Sequence, residues 1–394
     1  MWLTDFRPQK PAHFTEQGPG LDWLADAHAE AERHLAGTSE AGAAAAAAFD
    51  ARIHKVMKRV ACGPDRIARR GHELAEFLHR DWSEMKIYGL GPSTPHGAGT
   101  AARMEVFASL VNRIIERAYP AGADEAPPDH LMHVTCTGYV SPSGAQALVA
   151  ERGWADKTRV SHAYHMGCYA ALPAVRQAMG LAHVLLADGQ PTARVDLVHT
   201  ELCTLHLDPG DHSPEQLVVQ SLFADGSIRY TLRGHADRAA AMTAPRLRVL
   251  TVDDVMAPGT GESMTWRVGD HGMRMTLSRE VPGQVGQAIH GFVDRLAQRV
   301  GMTTDDLRAK AIFAVHPGGP KIIEQVADQL HLGAEQVAHS RAVLLARGNM
   351  SSATLPHVWS DLLEDRAVPD GQMVVTLAFG PGLTLAGGVL RVER

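Results

Sequence analysis

Apolar positions in this chain alternate between helical and strand-like spacing. Residues 101–118 (AARMEVFASLVNRIIERA) put Phe107, Leu110, Val111, Ile114 and Ile115 on one face of a helix. The Ala- and Glu-rich tract 21–49 predicts a helix without chemistry of its own. HLMHVTCTGYVSPSG predicts a buried strand over 131–135 that breaks into a polar loop. Leu172, Val175 and Met179 recur at helical spacing after Cys168. Two apolar strand candidates follow, 183–186 and 194–205.

A similar order returns further on. Residues 247–255 predict a strand, and 264–278 a hairpin around 269–272. A helix over 285–300, a short buried strand over 311–315 and a helix over 320–330 with Pro320 in its first turn come next. Strands over 373–379 and 383–392, separated by GPG, close the chain. Strand, turn and helix occur once around Cys168 and again around His316, which predicts an α/β architecture of two similar halves, 1–240 and 241–394. The boundary is expected near 235–245, where GHADRAAAMTAP has neither period.

With 394 residues the chain exceeds one average domain. A net charge of −6 without long like-charge blocks gives no reason to expect nucleic-acid binding. Four widely spaced cysteines without a CxxC pair read as reduced thiols, with neither a disulfide framework nor a metal site expected. No apolar core follows basic residues at the N-terminus and no apolar run approaches the ~20 residues of a membrane span. A cytoplasmic protein is therefore expected.

Three residues at element junctions carry candidate chemistry. Cys168 follows Gly167, which permits a sharp turn, and precedes a helix whose positive end favours a thiolate. Pro173 fits that helix only if it begins after Cys168. His316 ends an apolar strand and runs into PGGP. Asn349 lies in GNMSSAT after Gly348. Taken alone, Cys168 reads also as a buried structural thiol, His316 as a strand-end residue bonded to backbone, and Asn349 as a helix N-cap. Taken together, a thiol, an imidazole and a carboxamide on loops suit acyl-thioester chemistry.

HMGCYAALPAVR, ELCTLHLDPGD, QSLFADG, AVHPGGPKIIEQV, ARGNMSSATLP and LAFGPGLTL occur in that order. Together they resemble the type III polyketide synthases, the chalcone-synthase-like branch of the thiolase superfamily. The resemblance implies a layered αβαβα thiolase sandwich, a homodimer, and acyl-CoA and malonyl-CoA as substrates, with no metal or bound cofactor. It gives Cys168 as the acyl-accepting nucleophile, His316 as the partner that keeps it a thiolate and assists malonyl decarboxylation, and Asn349 as a second donor to the thioester carbonyl. Phe223 falls on a gatekeeping aromatic, and Gly380, Pro381 and Gly382 on a loop shaping the cyclisation cavity.

The chain departs from the plant pattern. Met275 stands where a second gatekeeping phenylalanine is found, and Cys136, Cys203 and His206 occupy cavity positions held by threonine. Ser141 takes the place of a methionine that crosses the dimer interface. These differences point to the bacterial branch and an aliphatic starter, giving an alkylpyrone or alkylresorcinol. Lys55, Lys58, Arg59, Arg66, Arg69 and Arg70, with Lys321 beside HPGGP, are candidate contacts to CoA phosphates. Two alternatives remain open: a single-condensation β-ketoacyl synthase of the same superfamily, and a catalytically silent thiolase-fold binding protein.

Overall fold

A computed structural model describes the chain except for residues 121, 123–125 and 236–243. The expected boundary at 235–245 falls largely on this last stretch, outside the described residues.

In chain order the elements begin with β1 (Trp2–Gln9), β2 (His13–Glu16), α1 (Gln17–Leu35), α2 (Glu40–Val60), β3 (Arg69–His72), α3 (Thr100–Ala118) and β4 (His130–Thr135). Then come α4 (Gly144–Glu151), β5 (Arg159–Tyr164), α5 (Ala171–Ala187), β6 (Thr192–Leu202), α6 (Pro214–Leu222), β7 (Asp225–His235) and β8 (Arg246–Met256). β9 (Met264–Gly269), β10 (Gly272–Leu277), α7 (Val281–Arg299), α8 (Thr304–Lys310) and β11 (Ile312–Val315) follow. The chain closes with α9 (Pro320–Leu330), α10 (Ala338–Arg347), α11 (Thr354–Glu364), β12 (Met373–Gly380) and β13 (Thr384–Glu393).

Nine strands form one ladder in the order β11-β12-β13-β8-β1-β7-β6-β4-β5. β1 joins its two parts, with Leu3 opposite Leu232 of β7 and Leu247 of β8. Side chains alternate across the strands, and that alternation builds layers. In β12, Val374 and Ala378 enter a central core, whereas Val375, Leu377 and Phe379 face the other way. The central core holds α5 and α11, packed against strands of both parts of the sheet. α7 and α9 cover the outer face of β12 and β13, and α1, α3 and α4 cover Leu131, Val198 and Leu202 on the outer face of β4 and β6. Helix, sheet, helix, sheet, helix is the layered thiolase-like arrangement.

Three expected elements are corrected. Residues 183–186 are not a strand but the last turn of α5. A four-residue apolar run has no period of its own, and here it continues a helix already buried through Leu172, Val175, Ala178 and Ala182. The tract 21–49 is not one helix: the chain breaks at Gly37, at φ +74°, and Ser39 caps α2 by accepting from the Gly42 N–H. The strand expected to reach residue 205 ends at Leu202, leaving Cys203 and His206 on a short 3₁₀ turn.

Candidate active site

Cys168 sits in a 3₁₀ turn, Gly167–Tyr169, between β5 and α5. Since α5 begins at Ala171, Pro173 lies in its first turn, where a missing N–H costs nothing. Gly167 has φ +78°, and a Cβ there would lie 2.8 Å from Pro381 Cδ. A Cβ on Gly380 would run into the Tyr169 ring. The stretch 380–382 therefore braces the Cys168 turn.

His316 follows the last residue of β11, and its backbone N–H donates to Leu377 O at 2.7 Å. Asn349 is tied to the Phe223 segment by backbone bonds, its N–H to Leu222 O at 3.0 Å and its carbonyl accepting from Ala224 N–H at 2.9 Å. Its Oδ1 accepts from the Ser351 N–H at 2.9 Å, a local side-chain turn and not an N-cap, since Met350 is the residue at the N-cap of 351–353. The amide still has two N–H groups. One donates to Gly318 O at 3.1 Å, and the other side of the amide reaches toward Cys168.

Cys168, His316 and Asn349 meet on the wall of one cavity of about 780 Å³. Phe223, Met275, Phe379, Leu222, Val219 and Met264 make the rest of the inner lining largely apolar, and Arg66, Arg279 and Lys321 stand among its outer residues. Arg66 is held by Glu324 at 2.7 Å. Lys55, Lys58 and Arg59 are not brought to it. They are exposed on α2, because Ile53 and Met57 turn the opposite, apolar face of that helix inward. Arg70 is buried, donating to Gln17, Gln220 O and Phe223 O, and Arg69 lies over the Phe14 ring, so neither is free for phosphate.

Cys136, Cys203 and His206 lie behind this wall. Cys136 Sγ is 3.0 Å from Ser351 Oγ and donates to Glu201 Oε2 at 3.5 Å. Cys203 packs in the same apolar cluster as Cys168. Both ring nitrogens of His206 are used: Nε2 donates to Thr137 O at 2.7 Å, and Nδ1 accepts from the Met273 N–H at 3.1 Å. It pins the hairpin that carries Met275.

The charge states depart from the sequence-based expectation. Burial pushes the Cys168 thiol up to about 11, with Ser351 and Asn349 acting in the opposite direction. Burial pushes His316 down to about 3, and neither of its ring nitrogens has a partner among the described residues. Burial thus works against a thiolate–imidazolium pair in the free protein, acting opposite to the helix terminus. Ser351 Oγ lies 3.7 Å from the Cys168 sulfur, which the Asn349 amide also approaches.

Ser351 and Glu201 were not singled out from the sequence. Ser351 has φ +47°, unusual for a residue with a side chain. Glu201 is fully buried in β6, and a carboxylate that recurs, after Asp196, in a largely apolar strand (DLVHTEL) was the available signal. Burial raises its pKa, countered by hydrogen bonds from Ser352, Cys136 and Thr137.

A thiol, an amide and an imidazole without a partner among the described residues, set around an apolar cavity on a layered α/β fold, suit an acyl-thioester condensing enzyme. Residues 97–232 match the family model of the N-terminal domain of chalcone and stilbene synthases, and 249–393 match that of their C-terminal domain. The chain belongs to this family, the type III polyketide synthases, acyltransferases that perform decarboxylating Claisen condensations. It is 28% identical to a putative chalcone synthase of Bacillus subtilis, over 64% of this chain and 67% of the relative. It is 31% identical to probable polyketide synthase 1 of Dictyostelium discoideum over 68% of this chain, but spans only 8% of that relative. The C-terminal type III domain of Steely1, a type I/III hybrid from Dictyostelium, superposes with a TM-score of 0.78 at 22% identity, covering 99% and 98% of the two chains. 1,3,6,8-Tetrahydroxynaphthalene synthase from Streptomyces coelicolor does so with 0.75 at 20% identity over the whole of both. At these identities the superpositions bear on the fold alone.

Proposed function

We propose that this protein loads an acyl-CoA starter on Cys168, extends it with malonyl-CoA and closes the chain to an alkylpyrone or alkylresorcinol. The observation that carries the reading is the cavity itself. Its inner wall presents Cys168, His316 and Asn349, and Met275, Phe223 and neighbouring aliphatic residues surround the space where a starter would lie. An unbranched thioether at 275 bends aside for a flexible chain more readily than a ring does. Arg279 and Lys321, both exposed at the outer end, suit the phosphates of a CoA whose pantetheine arm enters the cavity.

In this scheme the Cys168 sulfur attacks the starter thioester. His316 and the free N–H of Asn349 then donate to the thioester oxygen of malonyl-CoA, stabilising the enolate left as CO₂ departs. The carbanion attacks acyl-Cys168 and the cycle repeats. No bound cofactor is invoked, because the thioester oxygen is itself the electron sink. A relative in Mycobacterium tuberculosis, 28% identical over 67% of this chain, is described as α-pyrone synthesis polyketide synthase-like, in keeping with a pyrone product. A homodimer is part of the proposal, with the partly exposed sheet edge at β5 as a surface for a second copy. So is a cytoplasmic location; no helix of the described residues is long and apolar enough to cross a membrane.

The test is mass spectrometry of products formed from malonyl-CoA and acyl-CoAs of graded length. Triketide and tetraketide pyrones or resorcinols from long starters are expected. One malonyl unit per turnover would instead make the protein a single-condensation synthase, and no covalent acylation of Cys168 would make it a binding protein.

A further inference from the structure

α6 runs for nine residues, Pro214–Leu222, between two of the apolar side chains that narrow the cavity. Its C-terminal end leads into Phe223 and is anchored in the body of the protein. The Asn349 N–H donates to Leu222 O at 3.0 Å, the Ala224 N–H to Asn349 O at 2.9 Å, and Arg70 to Phe223 O at 3.0 Å. Its first turn meets the strand that carries Met275. Gln216, which is buried, donates from Nε2 to Met275 O at 2.6 Å, and Glu215 accepts from the Leu277 N–H.

Among the described residues β10 pairs with β9 alone, so its other edge has no strand beside it. In an antiparallel pair, alternate residues turn both backbone groups away from the partner strand. On β10 these are Met273, Met275 and Leu277, and side chains cover that edge residue by residue. His206 Nδ1 accepts from the Met273 N–H at 3.1 Å, Gln216 donates to Met275 O, and Glu215 takes the Leu277 N–H. Two more contacts steady the hairpin: Arg274 pairs with Asp211 at 2.7 Å, and the Thr100 N–H donates to Asp270 O at 2.8 Å. The backbone at 275 is therefore held, while its unbranched side chain keeps three rotatable bonds.

We infer that Gln216 is a positioning residue for starter selection, and that with Glu215 it makes α6 a fixed spacer between Phe223 and the Met275 strand. The inference rests on the proposed loading of an acyl-CoA starter. A passage with held walls admits what a mobile thioether can bend around, an unbranched aliphatic chain. A rigid ring needs the strand itself to move, and the two hydrogen bonds from the first turn of α6 oppose that. Leucine at 216 would leave the carbonyl of buried Met275 without this donor, which disfavours the observed position and releases the strand edge. Glu215 reaches the cavity wall itself, but Gln216 does not, so Gln216 acts on the starter only through Met275.

The experiment is a competition for Cys168 between a straight-chain acyl-CoA and a phenyl-tipped acyl-CoA of the same carbon count. Intact mass of the full-length protein reads which acyl group is loaded. Wild type should favour the straight chain. Gln216→Leu should lower that preference about tenfold, the scale of one methylene of misfit in an apolar pocket. Gln216→Glu keeps the shape but sets a carboxylate against the Met275 carbonyl, and should act in the same direction even if Gln216→Leu fails to fold. In a Met275→Ala background the preference is already low, and Gln216→Leu should change it less than about twofold, because the pair acts as one unit. Structural damage alone would slow both starters equally and leave the ratio in place. A wild type without preference, an unchanged ratio in the Gln216 variants, or a full effect without the Met275 side chain overturns the inference and leaves the proposed function standing. A wild type acylated by neither acyl-CoA overturns the proposed function, and the inference with it.

Discussion

The two strand–turn–helix units of this protein bring unlike equipment to one cavity. The Cys168 turn is held from every side: Pro381 against Gly167, Tyr169 against Gly380, and Ser351 on the sulfur, with a hydrogen-bonded chain leading inward from it. The His316 turn fixes its backbone through Leu377 and leaves both ring nitrogens unpartnered among the described residues. A buried unpaired polar group costs free energy unless a ligand supplies the partner. The contrast assigns the cysteine to the protein's own network and the imidazole to whatever enters the cavity.

The hardest way to break this contrast is at the cysteines. Cys168→Ala should abolish covalent acylation and all product, while Cys203→Ala, packed behind it, should still load as judged by intact mass. Acylation of the Cys168→Ala protein would show that the nucleophile is elsewhere. Next in size is the substrate-facing side. Asn349→Asp should keep loading but lose malonyl-CoA decarboxylation by about 10²–10³-fold, because a carboxylate repels the enolate that an amide N–H stabilises. Release of ¹⁴CO₂ from labelled malonyl-CoA measures it, and an equal loss of loading would leave Asn349 only its local bond to the Ser351 N–H.

Titration sharpens the comparison directly. A thiol pushed up to about 11 is mostly protonated at neutral pH. Since thiolate is the reactive form, iodoacetamide alkylation of Cys168 in the free protein should rise about tenfold per pH unit through pH 9, past the ordinary thiol range near 8.5. His316→Ala should leave that profile in place, because burial alone sets the imidazole low and it makes no bond to the sulfur. A midpoint well below 8.5 that moves upward in His316→Ala would restore the ion pair expected from sequence. Met275→Phe probes the apolar side. Overpacking costs about 1–3 kcal/mol, and about 1.4 kcal/mol is tenfold in relative kcat/KM. Long acyl-CoAs should lose that much more than short ones in a competition assay, and equal losses would remove Met275 from the starter path.

Which of these features could be read from the chain depended on whether a local signal existed. α3, the β9–β10 hairpin and the two closing strands have strong periods and clear turn residues, and the structure has them within a few residues of the expected bounds. Cys168, His316 and Asn349 stood out because each lies in a motif with its own turn chemistry. The basic run at 55–59 was legible as a helical face, but its direction relative to the cavity is set by the burial of Ile53 and Met57 against α1, which no spacing encodes. Ser351 and Glu201 were illegible for a related reason. Their roles exist only in contacts between residues far apart in the chain, such as Cys136 with Ser351.

The smallest effect tests the brace behind the nucleophile by giving one substitution opposite signs at two places. Gly380 sits in β12 without left-handed backbone, so alanine there strains nothing by itself. Its Cβ, however, would enter the ring of Tyr169, one residue from Cys168, and the ring or strand must shift. Overpacking of this kind costs about 1–3 kcal/mol, read as a Tm lower by several degrees. Gly291 lies exposed in α7, and a Cβ there meets nothing within 4 Å. Gly291→Ala should therefore stabilise by about 0.5–1 kcal/mol through helix propensity and the lost freedom of the unfolded chain. If the brace positions the sulfur, Gly380→Ala should slow acyl loading beyond its loss of stability, and Gly291→Ala should leave loading unchanged. A Gly380→Ala protein that melts and loads like wild type would mean that the 380–382 stretch only borders the nucleophile turn.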